Sequence, residues 1–280
     1  MFLADAGERE RYEKRESRRC DMTAALHAGG FAKESDRMGD CQVERAMLCT
    51  GCGKEPSPKR RWGRIVCDIK CCPHCARSRA ARLRDKWSDA AARMPTRKGY
   101  AWAKVTLTLK RYGAAYDNAN TLAADLDRIT VSWRRLRARL KRRWRFIGGF
   151  SALEVAGAVH IHLLAYLPFI EQAWLSDAWL DCTGDSKYVW IRAAGPLGPA
   201  IREQAKYICK EISVPGDEGK AVLIWSAFRR RQSHRAWGTA HGLIRDIPPK
   251  PIECEWCGGT DWFPADCISY LDRSARGPPN

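Results

Sequence analysis

Val159-His160-Ile161-His162-Leu163-Leu164-Ala165-Tyr166-Leu167 is the strongest strand signal in the chain. Side chains alternate across a strand, so Val159, Ile161, Leu163, Ala165 and Leu167 share one face, which reads as core. His160 and His162 share the other face, two residues apart. Two imidazoles side by side on a rigid strand can hold one metal ion. An isolated His-x-His is more often a pair of surface histidines. The flanking sequence is what changes the reading.

Lys104-Val105-Thr106-Leu107-Thr108-Leu109-Lys110 alternates as cleanly. Val105, Leu107 and Leu109 lie on one side, and the threonines and lysines on the other. A second strand precedes the His-x-His segment and ends near Glu154, followed by Val155-Ala156-Gly157. A three-residue loop with Gly157 left-handed pairs Glu154 opposite Ala158 and puts its carboxylate on the histidine face. A two-residue Ala156-Gly157 loop turns it away. The first is favoured. Glu154, His160 and His162 then form a three-ligand site with open positions.

The chain has 280 residues, enough for one large domain or two small ones. It carries 49 basic and 32 acidic residues, for a net charge of +17. Such an excess implies a polyanionic partner, usually nucleic acid. No run of about 18 apolar residues is present, so no membrane span is expected. The N-terminal stretch has no apolar core of a secretory signal, so a cytoplasmic location is expected. Thirteen cysteines without an export signal suggest metal binding rather than disulfides.

Residues 1–45 are charged and lack a sustained period, and read as a mostly disordered tail with room for a short helix near 8–19. A zinc module and helix follow over 46–98. Cys49-Thr50-Gly51-Cys52 and Cys72-Pro73-His74-Cys75 are nineteen residues apart, the pattern of a four-cysteine zinc site. Cys67 and Cys71 are spare, so the ligand set can be permuted. The loop between the knuckles carries Arg60, Arg61 and Arg64, which suit a phosphate backbone. Over 247–280, Cys254, Cys257 and Cys267 suggest half of a second zinc site, with His241 or His234 as candidates to complete it.

A helix over 119–144 places Ile129, Trp133, Leu136, Leu140 and Trp144 on one stripe. Arg134, Arg137 and Lys141 are among the basic residues on the rest of its surface, a candidate DNA-tracking face. Arg229 and Arg230 form another basic cluster. The helix Ala200–Ser213 has Ile201, Ala205, Ile208 and Ile212 on one stripe. At about 100° per residue, Tyr207 lies well off that stripe, with Lys210 and Glu211 on its side.

Taken in order, the cysteine knuckle, Thr106-Leu107-Thr108, His160-Ile161-His162 and Tyr207-Ile208-Cys209-Lys210 resemble the rolling-circle replication initiators of the His-hydrophobe-His (HUH) endonuclease superfamily, in the single-tyrosine plasmid branch. The resemblance covers roughly residues 45–245. It implies an α+β fold, with a central antiparallel sheet flanked by helices in a ferredoxin-like arrangement over 99–246. The βαββαβα order read here is compatible with that. It also implies a nickase. His160, His162 and Glu154 would hold Mn²⁺ or Mg²⁺. Tyr207 would attack a phosphodiester to leave a 5′-phosphotyrosyl bond and a free 3′-hydroxyl, before the strand is rejoined. Lys210 would lower the tyrosine pKa or steady the phosphate. Glu211, or alternatively Glu203, would be the base at termination. The partners implied are single-stranded origin DNA and the helicase and polymerase of a prokaryotic host. Single-strand transposases of the superfamily share the motif order but are typically smaller and lack an upstream cysteine module. Conjugative relaxases place the tyrosine before the histidines. A non-enzymatic zinc DNA-binding protein would account for the charge and the cysteines, but not for His160, His162 and Tyr207.

Overall fold

In the computed structural model, the described residues are 6–49, 51–52, 60–110, 116, 118–210, 217–229, 231–245 and 252–264. Its centre is β5 (Ala158–Pro168), which is buried on both faces over most of its length. Val159, Ile161, Leu163, Ala165 and Leu167 are each no more than 4% exposed, as the alternation requires. Leu164 and Tyr166 on the opposite face are buried as well.

β5 pairs antiparallel with β3 (Tyr100–Thr108) on one side and β4 (Gly148–Ala156) on the other. β6 (Val189–Ala193) and β7 (His234–Gly238) are the edges, giving the order β6-β3-β5-β4-β7. Between these strands run α4 (Ala119–Arg143), α5 (Gln172–Thr183), α6 (Leu197–Lys210) and α7 (Glu218–Phe228). The chain is therefore α+β, with a five-stranded antiparallel sheet flanked by helices. The order β3-α4-β4-β5-α5-β6-α6 matches the βαββαβα reading.

The two faces bury different partners. Val105, Leu107, Ile161 and Leu163 meet Leu122, Leu126, Ile129, Leu136 and Leu140 of α4 and Leu175 and Trp179 of α5. α4 begins where the Asn118 side chain accepts from the Thr121 amide at 2.9 Å. Its last turn carries Lys141, Arg142 and Arg143, where cations favour the helix dipole. On the other face, Phe150, Ala152, Leu164 and Tyr166 meet Ile201 and Ala205 of α6 and Trp87, Ala90 and Ala91 of α3 (Pro73–Ala92). α6 is thus seated over the sheet face that carries the histidines.

The expected N-terminal tail is folded. α1 (Ala6–Ala28) and α2 (Ala32–Gly39) bury Met22, Leu26 and Met38 in the main core. Phe31, between them, packs edge-on against Trp225 of α7, with ring centroids 4.8 Å apart. Met22 and Leu26, one turn apart, seat α1 together with Arg19, which donates to the Met38 and Gly39 carbonyls at 3.1 and 2.7 Å, and Glu16, which lies 2.7 Å from His74.

The C-terminal segment is also not separate. β1 (Glu44–Cys49) pairs with β2 (Arg60–Arg64) on one side and with β8 (Trp262–Pro264) on the other. The basic segment expected as a loop between two knuckles is therefore strand from Arg60 to Arg64. No helix among the described residues is long and apolar enough to cross a membrane.

Candidate functional site

The turn between β4 and β5 is tighter than a three-residue loop. Ala156 pairs with Ala158 around Gly157, whose φ of +75° is the left-handed region open to glycine. Glu154 consequently lies opposite His160, two residues further along than Ala158. A shift of two preserves the face, so Glu154, His160 and His162 stand on the same side of the sheet.

Thr108 and Thr106 lie opposite His160 and His162 on β3. The Thr108 hydroxyl is 2.8 Å from His160 Nδ1, and the Thr106 hydroxyl 3.2 Å from His162 Nδ1. Each imidazole is therefore oriented by a hydroxyl on the neighbouring strand. The remaining nitrogens are engaged differently. His162 Nε2 lies 2.6 Å from Glu154 Oε2, and His160 Nε2 lies 3.2 Å from the carbonyl of Ala156. Burial pushes the His160 pKa down, favouring the neutral ring that a metal ion needs.

α6 brings Tyr207 to this face. Its ring is stacked on that of His162 at 3.7 Å between centroids and 5° from parallel. Gln204, one turn earlier, donates to the His162 carbonyl at 2.7 Å and ties the helix to β5. Glu203, four residues before Tyr207, accepts from its hydroxyl at 3.5 Å and is ion-paired with Lys104 of β3. Lys104 holds the Glu203 carboxyl below its usual range. Burial, followed by the charges of Glu203 and Glu154, raises the Tyr207 phenol. Among the described residues, Glu203 is thus an acid brought to the tyrosine hydroxyl. Glu211 lies outside the described residues. Lys210 ends α6, with no described side chain.

The cysteines pair differently from the expected set. Cys72 and Cys75 gather with Cys41 and Cys67, whereas Cys49 and Cys52 gather with Cys254 and Cys257. In the first quartet the sulfurs of Cys41 and Cys75, Cys67 and Cys75, and Cys72 and Cys41 are 3.5–3.6 Å apart. In the second, Cys49–Cys257 and Cys52–Cys254 are at 3.5 and 3.4 Å. Four thiolates on a tetrahedral zinc with Zn–S bonds of about 2.3 Å lie about 3.8 Å apart, close to these values. Both quartets could hold a metal such as zinc. Thiols of Cys67, Cys72 and Cys75 donating to Cys41 push its pKa down, while Cys67 and Cys72 are pushed up in return. In the second group the amides of Trp256 and Cys257 lower Cys254 to about 6. A Cβ at Gly51 or Gly259 would sit 3.1–3.2 Å from the Cys257 sulfur, so both knuckles use glycine to admit that ligand. Neither His241 nor His234 belongs to this quartet, which closes without them, and Cys267 lies outside the described residues.

Among the described residues, these quartets are the groups whose ligand atoms all lie within 4.8 Å of one another. His160, His162 and Glu154 are not gathered that closely, because His160 Nε2 is turned to Ala156.

Arg134 and Arg137 of α4 line a cleft with Arg231 and Arg235, and Arg137 and Lys141 line a second with Arg235 and His241. Arg231 is paired with Asp127, and Arg229 with Glu34. Arg64 is exposed. The side chains of Arg60 and Arg61, and Arg230 altogether, lie outside the described residues. No family model, no curated protein and no solved structure matches the chain.

Proposed function

We propose that this protein is a rolling-circle replication initiator that nicks and rejoins one DNA strand, with Tyr207 as nucleophile. The observation that carries the reading is the stack of Tyr207 on His162, which brings a phenol, two imidazoles and two carboxylates to one sheet face. The order of the histidines and the tyrosine along the chain resembles that of the single-tyrosine replication initiators.

The donor set suits a divalent ion. Thr106 and Thr108 occupy the Nδ1 atoms, so Nε2 of each histidine and the Glu154 carboxylate are the atoms with which a cation would exchange. Mn²⁺ or Mg²⁺ bound there would neutralise and orient the scissile phosphate. The chain's own groups supply the rest. Tyr207 Oη attacks phosphorus, its proton passes to a base, and the 3′ oxygen leaves and gains a proton, so that one P–O bond replaces another. Glu203 is a carboxylate in reach of the phenol proton, and Lys104 holds it ionised. The reverse attack by a 3′-hydroxyl rejoins the strand. The same carboxylate would serve as base for water at termination.

The test uses a pool of random single-stranded oligonucleotides with Mn²⁺. A covalent adduct surviving denaturing electrophoresis and mapped by mass spectrometry to Tyr207 is the expected result. No adduct, or one on another residue, refutes the assignment.

A further inference from the structure

β6 is an edge strand, and its two faces differ sharply. Val189 and Ile191 turn into the core. Tyr188, Trp190 and Arg192 turn outward, with Tyr188 59% and Trp190 43% exposed. The amide of Thr108 donates to the Tyr188 carbonyl, so Tyr188 continues the β6 ladder and stands in line with the other two. Single exposed apolar residues are ordinary on protein surfaces. Two large rings at successive outward positions of an open edge are not, because such an edge invites aggregation.

Register ties these rings to the candidate active site. Trp190 pairs with Thr106, which pairs with His162. Directly paired residues share a face. With strands about 4.8 Å apart, Trp190 stands roughly 10 Å from His162 across the sheet. Arg192 pairs with Lys104, and its guanidinium lies 4.5 Å from the Trp190 ring centroid. Two rings with a guanidinium beside them offer π-faces and positive charge together. Unpaired bases take that combination, because every base has a π-face and every nucleotide a phosphate.

We propose that Tyr188, Trp190 and Arg192 are a stacking platform for unpaired bases of single-stranded DNA flanking the phosphate attacked by Tyr207. The proposal rests on the nickase reading for its position relative to the cut, but its binding test does not. The occupant is a single strand, since duplex bases are stacked on one another and cannot offer their faces to a protein ring. The net charge of +17 suits the same partner.

Fluorescence anisotropy on the full-length protein would compare a labelled short oligothymidylate with a duplex of equal length. Trp190→Ala should weaken oligothymidylate binding roughly tenfold or more, and Tyr188→Ala should add to the loss. Trp190→Phe should keep most of the affinity. Trp190→Leu retains bulk without a π-face and should behave like alanine. Duplex binding should be unchanged in all four. Because both rings are exposed, thermal midpoints should stay near that of the wild type. Unchanged oligothymidylate affinity in Trp190→Ala and Trp190→Leu would overturn the platform, as would an equal loss for duplex. The adduct assay separates the two ideas. A platform without a nickase loses affinity on Trp190→Ala although the wild type forms no adduct. A nickase without a platform forms the adduct in Trp190→Ala with unaltered affinity.

Discussion

The phenol of Tyr207 lies flat on the imidazole of His162, 3.7 Å between ring centroids. The stack presses the proposed nucleophile against a proposed metal ligand, and the hydroxyl donates to Glu203 at 3.5 Å. Tyr207→Phe preserves the stack and loses the hydroxyl with its long bond to Glu203, so stability should change by only about 1 kcal/mol. The covalent adduct should vanish. Calorimetry and the denaturing gel read the two separately.

Glu203→Gln should slow adduct formation by about 10²-fold or more in single-turnover assays, the usual loss when a general base is removed. DNA affinity should hold, because glutamine keeps the shape. An undiminished rate would move the base elsewhere.

Thr106→Val and Thr108→Val remove the hydroxyls that orient the two imidazoles. Loss of such supporting partners typically costs about 10–100-fold in metal affinity. The Mn²⁺ concentration for half-maximal adduct formation should rise by that factor, while adduct yield at saturating metal recovers.

Metal analysis should find two zinc ions per chain, one for each cysteine quartet. Cys41→Ser and Cys257→Ser should each lower the content by one. Both should depress the melting temperature, since metal-binding energy is folding energy. A zinc content unaffected by Cys41→Ser would disprove the first ligand set.

His234 contributes to the acid limb of stability, beside His74 and His160, which are shifted the same way. Burial, then the charges of Lys70, Arg79 and Lys86, lower its pKa from 6.5 to about 4. As pH falls through 6.5 the unfolded chain takes up this proton while the folded chain does not. Stability is therefore complete above pH 6.5 and declines towards pH 4, by about 3 kcal/mol from this group. His234→Gln should flatten that interval in denaturant titrations at a series of pH values.

Much of the sheet was legible because strand alternation is a local signal. β5 declared both its buried face and its histidine face, and the parity of the β4–β5 turn fixed the side on which Glu154 stands. The exact partner differs by two positions from that of a three-residue loop, since Gly157 alone turns the chain. The cysteine sets were not legible. Each C-x2-C unit is the same local object, and which two units meet is decided by the distant pairing of β1 with β8. Cys41 carries no motif of its own, and only the fold brings it to Cys72. Of the N-terminal helix only a stretch near 8–19 was legible, because Met22 and Leu26 are too few to set a period without the surface that receives them. Alternation put Thr106 and Thr108 on the polar side of their strand, but not against the histidines. Their bonds to Nδ1 depend on register, which the β3 sequence alone does not specify.

The second quartet joins Cys49 to Cys257, 208 positions later. During synthesis, Cys41, Cys67, Cys72 and Cys75 all emerge early, while the rest of the chain is still being made. The other quartet is complete only at residue 257, after the whole sheet and Tyr207 have been translated. If both quartets bind zinc, metal loading would have a built-in order. A nascent chain would then carry its first ion without its second, and only a chain translated at least that far could close the second site.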